Sequence, residues 1–231
     1  MSVSPIATMF DRISSKYDAL NHLLSLNIDK VWRRKTARVV AKHQPATILD
    51  LATGTADLAI AIAKSNPKAH IEGMDISEKM LEIGKRKVAK QKMDSQIELH
   101  VGDAAELPFE DNTFDAVTVA FGVRNFENLD KGLSEIHRVL KPNGQAVILE
   151  FSMPEHFPVK QLYRFYFKYL LPHIGGIVSK DKSAYSYLPA SVERFPKPGV
   201  FVEMLAQKGL SNGQAKPLTF GIATLYTATK V

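Results

Sequence analysis

Apolar side chains recur at three- and four-residue steps along the first 24 residues of the chain. The stripe consists of Ile6, Met9, Phe10, Ile13, Tyr17, Leu20 and Leu24. On an α-helix this spacing places all of them on one side, so an amphipathic helix is predicted here. A second helix is predicted across residues 30–43.

From residue 46 onward, short apolar runs alternate with amphipathic segments. Strands are predicted at 46–52, 69–76, 97–104, 114–123 and 145–151, and helices at 56–64, 77–92 and 129–140. Because each strand is nearly continuous in apolar residues, we expect an α/β fold with a mostly parallel sheet and helices on both faces. Residues 210–218 and 219–230 have no helix between them and predict antiparallel strands at one edge. Ser77 is positioned to cap a helix, and residues 141–144 are interpreted as a turn.

The chain of 231 residues is expected to form a single domain with four segments. These are an N-terminal helical cap (1–44), a ligand-binding core (45–151), an insertion (152–198), and a C-terminal helix with edge strands (199–231). The insertion is rich in aromatic residues and too long for a passive loop.

Composition excludes several classes of protein. Hydrophobic residues make up 45% and charged residues 23%, as in ordinary soluble proteins, and no apolar run has the ~18 residues of a membrane span. Cysteine is absent, which rules out disulfides and agrees with a cytoplasmic location. No histidine spacing predicts a metal site. The net charge of +6 comes with basic runs at 30–43 and 84–92, interpreted as solvated helix faces, with a nucleic-acid or anionic membrane surface as the alternative.

The turn after the first predicted strand, residues 50–57, indicates the kind of ligand. Ligands of open parallel sheets bind beyond the carboxyl ends of the strands. A nicotinamide-binding turn carries three glycines as GxGxxG, whereas this turn has Gly54 alone. Asp50 would repel a pyrophosphate and suits a ligand with a cationic end, such as the ammonium and sulfonium groups of S-adenosylmethionine (SAM).

Ala56 stands where such turns often carry a further glycine. A positive φ there would cost alanine about 1–2 kcal/mol, so we expect the backbone to have entered the helix already. Asp57 would then lie in the first helical turn, where its charge favours the helix dipole.

Acidic residues also lie at the carboxyl ends of the next two predicted strands. Asp75 lies about 20 residues beyond the glycine turn, the distance at which an acid typically binds ribose hydroxyls. Asp103, followed by Ala104, is placed to accept a hydrogen bond from the adenine amine. Three acids at consecutive strand ends favour a nucleoside ligand over three unrelated turn residues.

Several segments resemble known enzymes. LDLATGTADLA, GMDISEKML, GDAAELPFEDNTFD and RVLKPNGQAVILEFS are similar to the motifs of Rossmann-like class I SAM-dependent methyltransferases. FDRISSKYDALNHLLS, AFGVRNF and AYSYLPASVERFP are more specific and resemble the menaquinone/ubiquinone C-methyltransferase family, over nearly the whole chain. The resemblance implies SAM as methyl donor and a prenylated quinol as acceptor, either demethylmenaquinol, which would become menaquinol, or a benzoquinol precursor of ubiquinone.

The resemblance also implies the cofactor site. It implies contacts with SAM at Thr55, Asp75, Asp103 and Ala104, and Asp50, Gly54, Ile76 and Ala120 are further expected contacts. Ala120 replaces a serine of other members, so its backbone carbonyl remains as an acceptor but a hydroxyl contact is lost.

Arg124 and Asn125 follow the fourth strand, which in such a sheet ends beside the methionine half of the cofactor. We expect Arg124 to stabilise a phenolate-like oxygen next to the reacting carbon and Asn125 to position the ring. Asp57 is a candidate proton acceptor, acting through a water. Alternatively, Arg124 forms an ion pair with Glu127 or Asp130 and only caps the loop.

The first helix and the insertion are expected to enclose the substrate. The candidate residues are Phe10, Tyr17, Asn21, Tyr185, Tyr187, Ser191 and Phe195, and Trp32 and Arg33 are expected to brace the pocket. Lys160, Arg164 and Lys168 lie four residues apart, on either an ordinary amphipathic helix or a lid with basic residues near anionic lipid. Peripheral attachment to the inner face of the membrane and a homodimer are further expectations.

Three other functions remain open on the sequence. They are SAM-dependent methylation of another small lipophilic acceptor, nucleic-acid binding by a non-catalytic SAM-fold module, and NAD-dependent oxidoreduction. The acids at the strand ends together with Arg124 and Asn125 weigh against the second, and the missing glycines weigh against the third.

Overall fold

The structure is a computed structural model that describes residues 4–166, 169 and 182–231, without the side chains of Leu20, Leu24 and residues 182–186. Its helices are α1 (Pro5–Leu24), α2 (Ile28–Ala41), α3 (Asp57–Ser65), α4 (Glu78–Lys90), α5 (Leu129–Val139), α6 (Val159–Phe165), α7 (Lys182–Arg194) and α8 (Pro198–Gln207). Its strands are β1 (Thr47–Leu51), β2 (His70–Asp75), β3 (Ile97–Val101), β4 (Phe114–Ala120), β5 (Leu140–Phe151), β6 (Leu210–Leu218) and β7 (Ala223–Lys230). Short 3₁₀ turns lie at Val123–Asn125 and Thr219–Gly221.

The seven strands form one sheet in the order β3-β2-β1-β4-β5-β7-β6. β1 pairs in parallel with both β2 and β4, and β7 pairs antiparallel with both β5 and β6. The predicted mostly parallel, seven-stranded sheet with antiparallel pairing at one edge is therefore confirmed. Strand order reverses between β1 and β4, so their carboxyl ends flank the position where such sheets bind ligands.

Two apolar layers cover the two faces of the sheet. Because side chains alternate along a strand, Ile48 joins one layer and Leu49 the other. Helices α2, α3 and α4 pack on the first face, and helices α5 and α8 on the second. Burial on both faces explains why the parallel strands have nearly continuous apolar sequences.

The predicted helix cap at Ser77 is present, whereas the predicted turn at 141–144 is not. Ser77 caps α4 by accepting a hydrogen bond from the backbone N–H of Met80, 3.3 Å away. The turn predicted at 141–144 is instead an irregular start of β5, in which Asn143 takes the left-handed conformation with φ 65°. Asparagine tolerates this conformation, so the strand continues through the bulge.

Part of the insertion packs beside the carboxyl end of β5. Tyr163 of α6 and Val192 of α7 form a small buried cluster with Phe151 and Ile222 next to them. Lys160 and Arg164 lie on α6, whereas Lys168 is outside the described residues. Within the described ranges, no helix combines the length and the apolar character needed to cross a bilayer.

Candidate functional site

A cleft lies beyond the carboxyl ends of β1, β2, β3 and β4. Its lining includes Phe10, Tyr17, Gly54, Asp75, Ile76, Asp103, Ala104, Ala120, Phe121 and Asn125. Helix α1 contributes Ile6, Phe10 and Tyr17, so the apolar stripe of this helix faces the cleft. The cleft thus brings together nine of the residues that the sequence analysis predicted for the site.

The loop after β1 takes three left-handed residues in five positions. Ala52, Gly54 and Ala56 have φ values of 50°, 56° and 65°. The expectation that Ala56 had already entered the helix is therefore wrong. Ala56 is instead the N-cap of α3, and its N–H donates to the Thr53 carbonyl over 2.9 Å.

Asp75 holds this loop against the start of α4. One carboxylate oxygen accepts the Gly54 N–H and the other accepts the Ser77 N–H, each at 2.8 Å. Burial raises the pKa of Asp75 to about 6, although these hydrogen bonds oppose the shift. A desolvated carboxylate at the floor of a cleft is suited to accept further hydrogen bonds from a polar ligand.

Asp50 lies deeper, at the end of β1. It is buried and accepts hydrogen bonds from the hydroxyls of Thr53, at 2.7 Å, and Thr118, at 2.6 Å. Burial raises the pKa of Asp50 to about 6 despite both bonds. Asp50 lines a second, smaller recess, which shares Tyr17 and Ala120 with the main cleft.

Thr55 and Asp57 also line this recess and belong to a charged network. The Thr55 hydroxyl donates to Asp18 of α1 over 2.6 Å. Lys87 of α4 forms ion pairs with Asp18, at 3.0 Å, and with Asp57. Asp57 does lie in the first turn of α3, as predicted. Its ion pair favours a structural role over proton transfer.

Arg124 faces a partner that the sequence reasoning missed. Its Nη1 donates to Glu150 Oε1 at 2.7 Å, and the two side chains are 6% and 0% exposed. Glu150 Oε2 also accepts the Arg124 backbone N–H at 3.2 Å. The predicted alternatives were wrong, because Glu127 contacts Ser4 and Asp130 pairs with Lys208. A single glutamate within the buried run of β5 was the available signal.

Asn125 connects the cleft to the insertion. Its Oδ1 accepts a hydrogen bond from the Tyr187 hydroxyl at 3.0 Å. Ser191, also on α7, accepts from Arg124 Nε at 3.3 Å. Two predicted substrate residues are therefore held beside the end of β4.

The other predicted substrate residues have different positions. Phe10 and Tyr17 make an edge-to-face contact over the cleft, with ring centroids 5.9 Å apart. Asn21 lies one helical turn beyond Tyr17 on α1 and lowers the pKa of Tyr17, although burial raises it overall. Phe195 packs on Phe201 in the core of the second face and does not line the cleft. The side chain of Tyr185 is outside the described residues.

Helix α1 is fastened over the cleft by polar contacts along its length. Its N-cap Ser4 donates to Glu127, and Asp11 accepts from the Ser77 hydroxyl at 2.6 Å. Near its carboxyl end, Asp18 pairs with Lys87. These partners are distant in sequence, and no local pattern indicated them.

The loops after β1 and β4 touch at the point where strand order reverses. A Cβ atom added to Gly122 would lie 2.3 Å from the Ala52 Cβ, so only glycine permits this approach. The cleft is lined by Asp103 and Asp75, and the adjacent recess of Asp50 shares Ala52 and Gly54 with it. An elongated ligand with a nucleoside at one end and an amino acid at the other, as in SAM, fits this sequence of polar groups.

The fold and the site define a Rossmann-like, SAM-dependent methyltransferase. A solved SAM-dependent methyltransferase of Aquifex aeolicus has the same fold, with a TM-score of 0.59, 20% identity, and coverage of 80% of this chain and 82% of that one. The model of the ubiE/COQ5 methyltransferase family matches residues 2–230, and the chain belongs to this family.

Relatives with similar sequences span nearly the full length of the chain. A demethylmenaquinone methyltransferase of Bacteroides fragilis is 48% identical, over 97% of this chain and 92% of that protein. A ubiquinone/menaquinone biosynthesis C-methyltransferase of Geotalea daltonii is 46% identical, over 97% and 96%.

Proposed function

We propose that the protein methylates a ring carbon of a prenylated quinol and converts demethylmenaquinol to menaquinol. The observation that carries this proposal is the near full-length similarity to a demethylmenaquinone methyltransferase. The cleft supports it, because polar groups at the strand ends meet an aromatic wall formed by Phe10, Tyr17 and Phe121.

The residues at the strand ends would hold SAM. We assign Asp103 and Ala104 to the adenine, Asp75 with Gly54 and Ile76 to the ribose, and the recess containing Asp50, Thr55 and Ala120 to the amino acid end. When bound there, SAM supplies an electrophilic methyl group on its sulfonium. The transfer forms the bond from methyl to ring carbon, leaves a neutral thioether and releases the ring proton to a base.

Residues that follow β4 would contact the quinol. Arg124 uses Nη1 for Glu150 and Nε for Ser191, and within the described part of the chain its Nη2 makes no hydrogen bond. We assign Nη2 to the quinol oxygen next to the reacting carbon, where a positive charge favours the electron-rich phenolate. Asn125 and Tyr187 would hold the ring in line with the sulfonium.

The test is methyl transfer from labelled SAM by the purified protein. One reaction contains a short-tailed demethylmenaquinol kept reduced, a second contains the benzoquinol precursor, and a third contains the oxidised quinone, whose ring lacks nucleophilic character. Label in the reduced naphthoquinol alone supports the proposal. Label in the benzoquinol extends it to ubiquinone synthesis. No label in either ring, with SAM binding intact, refutes the quinol substrate.

Contact with the membrane is a second part of the proposal. On and beside α6, Phe157, Leu162 and Phe165 are 80%, 65% and 55% exposed, and Lys160 and Arg164 lie among them. Apolar side chains with basic neighbours suit an anionic lipid surface. We expect co-sedimentation with anionic vesicles and less with neutral ones, and we expect Leu162→Ser combined with Phe165→Ser to weaken it. Wild-type protein left wholly in the supernatant would refute this part.

A further inference from the structure

Arg33 is an arginine of α2 that is buried without using all its donors. The residue is 9% exposed, and its Nη1 donates to Asp29 at 2.6 Å. Its guanidinium carbon lies 5.2 Å from the centroid of the Phe121 ring. Within the described part of the chain, Nε and Nη2 make no hydrogen bond. Buried donors of a charged group without partners are costly, so a ligand is expected to supply the acceptors.

The guanidinium lies in the wall of the recess beside the main cleft. The lining of this recess also includes the polar residues Asp50, Thr55 and Tyr17. Burial raises the pKa of Asp50 and of Tyr17, and the positive charge of Arg33 opposes both shifts, which agrees with its closeness to each group. The recess therefore contains one cation with unused donors next to an acid and hydroxyls.

We propose that Arg33 binds the α-carboxylate of the methionine moiety of SAM. This inference rests on the assignment of SAM to the cleft. The amino acid end of SAM has one carboxylate and one ammonium, and the lining of the recess includes the guanidinium of Arg33 together with Asp50 and Thr55. Nε and Nη2 point in parallel in an arginine, so together they can bind both oxygens of one carboxylate.

Asp29 positions this guanidinium. Its carboxylate also accepts hydrogen bonds from Ser25, at 2.7 Å, and interacts with His22 at 2.8 Å. Burial alone would raise the pKa of Asp29, but the Ser25 bond and the charges of Arg33 and His22 outweigh it and lower that pKa. Asp29 therefore remains ionised at neutral pH and fixes Nη1, which leaves the opposite edge of Arg33 for the ligand.

The experiment compares SAM with decarboxylated SAM, which keeps the sulfonium and the amine but lacks the carboxylate. Binding of each is measured by calorimetry to the wild type, Arg33→Gln and Arg33→Lys, in the absence of quinol. Charge-assisted hydrogen bonds are typically worth about 1.5–3 kcal/mol, so the wild type should bind SAM roughly 10- to 100-fold more tightly than decarboxylated SAM. Arg33→Gln should lose this preference while its affinity for decarboxylated SAM stays within about twofold. Arg33→Lys should keep part of the preference, because one ammonium cannot reproduce the paired donors.

Arg34→Gln is the matched control, because Arg34 is exposed on the same helix, and it should behave as the wild type. A wild type that binds both ligands equally would overturn the inference, and this holds even if the Arg33 variants fail to fold. Equal loss of both ligands in a folded Arg33→Gln would also overturn it, since a structural role predicts that pattern. If the wild type binds neither ligand, both the inference about Arg33 and the assignment of SAM to the cleft are overturned. Absence of methyl transfer with the binding pattern intact would refute only the quinol proposal.

Discussion

Replacing Glu150 with glutamine removes the negative partner of Arg124 and keeps the size of the side chain. Both side chains are almost fully buried, and the bond from Nη1 to Oε1 is 2.7 Å long. Glutamine can still accept the backbone N–H groups of Arg124 or Phe151 that now bind the carboxylate. The substitution therefore leaves one uncompensated buried charge as its main effect.

The size of this effect follows from the burial. Removing one member of a buried ion pair typically costs about 3–5 kcal/mol. For a domain of 231 residues, a loss of that size lowers the midpoint of thermal unfolding by roughly 10 °C. Adding Arg124→Met should restore at least half of the lost stability, because a neutral side chain of similar length removes the unpaired charge.

Urea unfolding and methyl transfer are then measured on wild type, Glu150→Gln, and the double variant. Asp130→Asn is the control, since its partner is Lys208 and Asp130 is 73% exposed, and a change within about 0.5 kcal/mol is expected. A loss below about 1 kcal/mol in Glu150→Gln would refute the argument from burial. The double variant isolates catalysis, because it is folded but lacks the guanidinium. Its turnover should fall with SAM affinity unchanged, and wild-type turnover would remove Arg124 from the mechanism.

Three further predictions concern the cleft and its loop. Affinity for SAM should fall below about pH 6, where Asp75 gains a proton because burial has raised its pKa to about 6. Calorimetry should show a weaker dependence in Asp75→Asn, in which Asp50 still gains a proton because burial also raises its pKa to about 6. The pKa of Asp75 is higher in the folded than in the unfolded protein. The free energy of unfolding of the wild type should therefore rise relative to that of Asp75→Asn as pH falls from about 6 to about 4. A relative decrease over this pH range, measured by urea unfolding, would contradict this. Tyr187→Phe removes the 3.0 Å bond to Asn125 and should lower turnover up to about tenfold, with SAM affinity kept in a binding assay; a loss of SAM affinity instead would place Tyr187 at the cofactor. Ala56→Val should lower the free energy of unfolding in urea by more than about 2 kcal/mol, since a β-branched residue at positive φ is strained and a Cβ at Gly84 would already lie 3.3 Å from Ala56. Ala56→Gly should stay within about 1 kcal/mol of the wild type, because relief of strain is offset by lost packing and a more flexible unfolded chain. Equal losses in the two variants would contradict strain as the cause.

The elements of the sheet were predictable because each carries its own local signal. β1 and β4 are apolar runs of the length of a strand, and Ser77 marks the start of α4. The positions of Asp75 and Asp103 followed from topology, since parallel strands place their carboxyl ends at one edge. Ala56 was mispredicted because its conformation is set by the turn from β1 to α3, in which the Ala56 N–H bonds to Thr53. Its intrinsic preference was overruled by that turn.

The partners of the site residues were not predictable by the same means. Glu150 meets Arg124 from a strand 26 residues further along, and Thr55 meets Asp18 across 37 residues. Such pairs are created by the packing of elements, and a periodic pattern contains no information about them. Buried charge nevertheless leaves a trace in the sequence, because an acid within an apolar strand needs a cationic or hydrogen-bonding partner. Glu150 inside β5 is of this kind, and Asp29 in the first turn of α2 is a second buried acid. Each of the two acids forms an ion pair with an arginine that we assign to a ligand: Arg124 to the quinol and Arg33 to the cofactor.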